Sequence, residues 1–134
     1  MKINEGGEKM FFKVNNLKDL QEGMERLCEF LLQSDIPAES IFDSKLVVSE
    51  LIGNVLKHSD GIASLHTEVK DGLINLKIAS TKPYVMPEKS VCSDVFSEHG
   101  RGLFLVDSVC HKRVQTEDGE IIVTLAIKGS TTQP

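Results

Sequence analysis

The chain has 134 residues, 40% of them hydrophobic, with 15 basic and 20 acidic side chains and a formal net charge of -5 at pH 7. That length points to a single domain with one substantial core, and the acidic balance argues against nucleic acid as the main partner. Cys28, Cys92 and Cys110 are odd in number and widely spaced, which excludes a disulfide framework and reads as free thiols in a reducing compartment.

Lys9 to Val14 reads as a short strand, and Asn15 or Asn16 is placed to cap the next helix. Leu20, Met24, Leu27, Cys28 and Leu31 then recur at helical spacing to about Gln33, with Cys28 a core candidate. Asp35-Ile36-Pro37 breaks the chain, and a long helix runs to about Lys57. Ile62 to Val69 and Leu73 to Ala79 are strands joined by Asp71-Gly72, a pair suited to a two-residue hairpin turn. Residues 80–99 lack a clear period and hold Pro83 and Pro87, which predicts a long loop. A short helix from Gly102 to about His111 follows, with Cys110 a second core candidate. A second hairpin joins Arg113–Thr116 to Glu120–Lys128 across Asp118-Gly119. The tail, residues 129–134, is polar and reads as disordered. No apolar run approaches a membrane span, and the opening Met-Lys-Ile-Asn-Glu-Gly-Gly lacks an apolar signal segment, so the expected location is cytoplasmic. No His/Cys/Asp spacing suggests zinc.

This order predicts an α/β (α+β) two-layer sandwich, a mostly antiparallel sheet with helices packed on one face. One domain is expected over residues 1–134, with its core at about 9–128. Ile121, Val123, Leu125 and Ile127 alternate as one buried sheet face. The opposite positions, Glu120, Ile122, Thr124 and Ala126, are less clean, which leaves a central strand and an outer face used in an interface both open.

Two short segments carry candidate chemistry. Glu50, Asn54 and His58 lie four residues apart on the long helix, so each follows the last by about 40° within an arc of roughly 80°. Leu51, Val55, Val48, Ile41, Ile52 and Leu56 fill the neighbouring arc, from about 100° to 240°. A carboxylate, an amide and an imidazole thus border a buried face, where they suit a ligand site, although such spacing also occurs on solvated faces. Some forty residues on, Gly100-Arg101-Gly102 precedes the apolar positions Leu103, Phe104, Val106, Val109 and Cys110. Glycines before a helix let backbone approach a ligand, and free amides at the helix start favour an anion. Gly-x-Gly also marks many plain turns.

Glu-x-x-x-Asn-x-x-x-His on a helix, then a hairpin, a loop and Gly-Arg-Gly-Leu opening another helix, resembles the GHKL superfamily of ATP-binding domains shared by histidine kinases and gyrase. The order and spacing over residues 9–128 are most similar to the bacterial anti-sigma factor serine/threonine protein kinases. The resemblance implies a Bergerat-type ATP-binding fold with ATP and Mg2+ as cofactors. In that family the residue matching Asn54 holds the magnesium, and the one matching Glu50 accepts a proton from an incoming serine hydroxyl. Lys57 and His58 would approach phosphate oxygens. Gly100 and Gly102, in the run that continues to Leu103, match the second glycine box, which closes on the phosphates, and Arg101 between them would touch either phosphate or a protein partner. The family's adenine-reading aspartate is missing: Leu76-Lys77-Ile78-Ala79-Ser80-Thr81-Lys82-Pro83 has no acidic residue, and Ser80 is its best match, with Ala79 the alternative if the register slips by one. A lost charge-assisted hydrogen bond is worth about 1.5–3 kcal/mol, equivalent to roughly 10- to 150-fold in affinity. The implied function is an anti-sigma kinase that sequesters a sigma factor and phosphorylates an antagonist protein. The alternative is a degenerate protein-binding module with weak or no nucleotide binding. The same resemblance implies a homodimer, here expected through the strand Met10-Phe11-Phe12-Lys13-Val14.

Overall fold

The computed structural model describes residues 8–58, 61–82, 105–116 and 119–127. Its elements are β1 (Glu8–Val14), α1 (Leu17–Gln33), α2 (Ala38–His58), β2 (Ala63–Lys70), β3 (Leu73–Ser80), β4 (Lys112–Gln115) and β5 (Ile121–Ala126). Residues 105–109 form a further short helix before β4. The five strands make one antiparallel sheet in the order β1-β2-β3-β5-β4. The fold is therefore α+β, an antiparallel sheet with α1 and α2 against one face.

The start of α1 is fixed by a reciprocal cap. The Asn16 side chain accepts from the Asp19 amide at 2.8 Å, and the Asp19 carboxylate accepts from the Asn15 amide at 2.9 Å. Asn16, rather than Asn15, is thus the cap. At the other end Asp35 turns left-handed, φ 61°, and the Ile36 amide returns to the Leu31 carbonyl at 3.0 Å. Beyond Pro37 the chain enters α2, whose Val47, Val48, Leu51, Ile52 and Val55 are fully enclosed against the sheet and α1.

Across the sheet, Asp71 and Gly72 both take positive φ, 56° and 77°, as a type I′ hairpin demands. Phe12, Val14, Ala63, Leu65, Ile74, Leu76, Ile78, Ile121, Val123 and Leu125 point to the helices and are buried. β5 lies between β3 and β4, so it is an interior strand. That position accounts for the mixed character of Ile122 and Thr124, which are half-buried on its other face. Two expectations need correction. The helix expected to reach His111 stops at residue 109, because the His111 amide already donates to the Thr124 carbonyl of β5 at 2.7 Å. Cys28 and Cys110 are half-buried beside the core rather than inside it. The tail 129–134 lies outside the described residues.

Candidate functional site

The polar stripe of α2 is longer than the trio that marks it in sequence. Ser40, Asp43, Val47, Glu50 and Asn54 follow at steps of three and four, which places all five within roughly 80° of arc. Alternating steps of three and four make the seam along which one helix packs on another. Here α1 and α2 are joined by four residues and packed together. In the first half of the stripe Ser40, Asp43 and Val47 are buried. In the second half Glu50 and Asn54 are only half-buried. The helix lengths do not account for the change: α1 has 17 residues and α2 has 21, so α2 outruns α1 by about 6 Å at 1.5 Å per residue, only its last turn, residues 55–58. Glu50 and Asn54 lie before that turn, half-buried at the rim of the packed faces. Neither side chain has a hydrogen-bond or ion-pair partner among the described residues. Lys57 is exposed one turn further on and has a partner of its own, and His58 is the last residue of the helix.

Ser80 comes to the same end of the sandwich. It is the last residue of β3 and pairs with Ala63, the first of β2. From His58 to Ala63 is five residues, so the chain separates them by at most about 18 Å. The Ser80 hydroxyl is already engaged, accepting from the Lys82 amide at 3.2 Å. Beside it the Ile62 amide donates to Thr81 Oγ1 at 2.9 Å, and the Thr81 amide donates to the Ile62 carbonyl at 3.0 Å. Gly61 closes over this knot: a Cβ there would come within 2.8 Å of Ser80 Oγ, 2.9 Å of Thr81 Oγ1 and 3.0 Å of the Lys82 nitrogen. Gly61 and Thr81 escaped sequence inspection, since neither lies in a periodic segment. The one signal was a glycine three residues past His58.

Gly100, Arg101, Gly102 and Leu103 lie outside the described residues. The helix that follows them is anchored at both ends of its contact with the sheet. Val106 is fully buried, and Asp107 takes both nitrogens of the Arg113 fork, at 2.7 and 3.0 Å. Such a two-point pair fixes direction as well as distance. The hydrogen bond that Arg113 donates to Asp107 holds the guanidinium above its ordinary pKa. Burial, with help from the Asp107 charge, pushes the Cys110 thiol up as well.

Among the described residues no three His, Cys, Asp or Glu side chains gather as a metal cage. Magnesium keeps several waters and takes few protein ligands, so a magnesium site would not require such a cage. A hollow of about 560 Å³ lies on the other side of the sheet, lined by Lys9, Phe11, His66, Asn75, Lys77 and Ile122 among others. It is remote from the α2 stripe, which lies on the helix side. The chain matches no protein-family model and no curated protein.

Proposed function

We propose that the chain is an ATP-binding regulatory domain of the Bergerat type within the GHKL superfamily, working as an anti-sigma serine/threonine kinase. One observation carries this reading: Glu50 and Asn54 are half-buried and without described partners in the second half of α2, the half that leads to the sheet end holding Ser80. A helix feeding its polar stripe to the end of an antiparallel sheet suits a site open on one side.

The donor set fits a magnesium-bound triphosphate better than it fits adenine. Asn54 offers a neutral amide oxygen for one metal position, while Lys57 and His58 follow it toward the helix end. ATP with magnesium would supply the transferable phosphoryl group and the neutralising charge. Glu50 would take the proton of a partner's serine hydroxyl, acting as general base. Gly100, Arg101, Gly102 and Leu103 would contribute backbone amides and a cation to the phosphates. On the base side, Ser80 offers a hydroxyl oxygen that already accepts from Lys82. That observation favours the second reading, a protein-binding module with weak or no nucleotide affinity. The partners in either case are a sigma factor, its antagonist, and a second copy of this chain through β1.

Calorimetric titration with ATP and magnesium separates the two. A working kinase binds nucleotide; Asn54→Ala abolishes magnesium-dependent binding, and Glu50→Ala keeps binding but loses phosphoryl transfer. Equal nucleotide affinity in Asn54→Ala and the parent sinks the assignment.

A further inference from the structure

The outer face of the sheet, the side away from α1 and α2, has a charge opposite to that of the whole chain. Register places Lys9, Lys13, Lys70, Lys77 and Lys112 there with Glu68, and Glu120 continues the same face one residue before β5. Five lysines against two glutamates stand on a molecule whose net charge is -5. Across the middle runs one cross-strand row: Phe11, His66, Lys77, Ile122 and Val114. Phe11 and Val114 are 41% and 40% exposed at the two ends of the row. The Phe11 and His66 rings lie 4.5 Å apart between centroids. Lys77 and Ile122 continue the row across the hollow of about 560 Å³.

From this we infer that the outer face is a docking surface for an acidic amphipathic helix of a partner protein. A layer of helix is the ordinary cover for a sheet face with apolar positions. The row crosses five strands at about 4.8 Å spacing, so it is about 19 Å long. That length matches roughly 13 helical residues at 1.5 Å each. The apolar stripe of such a helix would lie between Phe11 and Val114. Its flanking carboxylates would meet Lys9 and Lys112 on one side and Lys13 on the other. A second copy of this chain is a poor occupant face to face, because it would set five lysines against five. Single-stranded nucleic acid could use the lysines and the Phe11–His66 pair. It would gain little from Ile122 and Val114, since it binds by stacking bases on aromatic rings. The surface is separate from the nucleotide site and stands or falls without it.

The test is fluorescence anisotropy with a labelled acidic peptide of about 14 residues, leucines at helical spacing and glutamates flanking them. A scrambled peptide of equal composition and an oligothymidylate of about 15 nucleotides serve as comparison probes. The amphipathic peptide should bind the full chain, and binding should weaken at least roughly tenfold between about 0.05 and 0.5 M salt. The double variant Lys9→Glu/Lys77→Glu should weaken it roughly tenfold or more, and Val114→Ser severalfold, with unchanged circular dichroism. No binding, equal binding of the scrambled peptide, or tighter binding of the oligonucleotide would each overturn the inference.

Discussion

At Ser80 and Gly61 single atoms decide what the candidate site can do. The Ser80 hydroxyl accepts from the Lys82 amide, and a carboxylate at the same position could keep that bond and still face a ligand with its second oxygen. Ser80→Asp should therefore tighten ATP binding by about an order of magnitude and sharpen rejection of GTP, whose six-position oxygen would oppose the carboxylate. ATP and GTP titrations of both proteins check this, and unchanged ATP affinity places adenine elsewhere or nowhere. Gly61→Ala should destabilise by about 1–3 kcal/mol in urea melts, since the added carbon falls within 3.0 Å of three atoms of the turn. Cys110 offers a pH test. Its thiol is raised by burial and by Asp107, so alkylation near neutral pH should be slower than for an unhindered thiol. By the same linkage, its stabilising effect is complete below the unfolded pKa and is lost as pH rises through the folded one. Glu50 and Asn54 stand out in the sequence because four-residue spacing aligns side chains on a helix, the same spacing that solvated faces also show. Gly61 was not, because its role exists only through Ser80, which is distant in sequence.

Packing of whole elements turns on a second glycine. Gly23 lies on the buried side of α1, and a Cβ there would meet the Phe12 ring at 2.2 Å. The helix is notched so that β1 can place an aromatic ring against its backbone. Arg26, one turn along, lies 5.7 Å from that ring's centroid and donates to the Phe11 carbonyl at 3.3 Å. Gly23→Ala should lower stability by about 1–3 kcal/mol despite the better helix propensity of alanine. A higher urea midpoint in the variant would show that the ring moves aside freely. The periodicity of Leu20, Leu27 and Leu31 made α1 legible, but a stripe of large apolar residues hides a glycine within it. Both hairpins were legible from Asp-Gly pairs. The interior place of β5 was not, because a strand covered on two sides and a strand with a sticky outer face share one pattern.

At the scale of the molecule, β1 is an edge of the sheet, and edges with exposed apolar side chains invite pairing. Edge-to-edge pairing of two β1 strands would leave the lysine-rich outer faces apart, whereas stacking them would oppose like charges. The homodimer through β1 is therefore expected as a continuous sheet, seen by light scattering as twice the monomer mass at high micromolar concentration. A persistent monomer mass there removes it.

The strand order β1-β2-β3-β5-β4 also governs the sequence of events in folding. β2 and β3 meet through a two-residue turn, while β3 and β5 must find each other across roughly forty residues, at an entropic cost of about 3 kcal/mol. The tight hairpin and the helix pair should form the nucleus, with the β4–β5 pair joining after the barrier. Leu65→Ala in β2 should then slow refolding, while Leu125→Ala in β5 should mainly hasten unfolding. Stopped-flow chevrons that slow equally for both variants would contradict this order. If it holds, Glu50 and Asn54 take their places early, before β4 and β5 complete the sheet against which α2 packs.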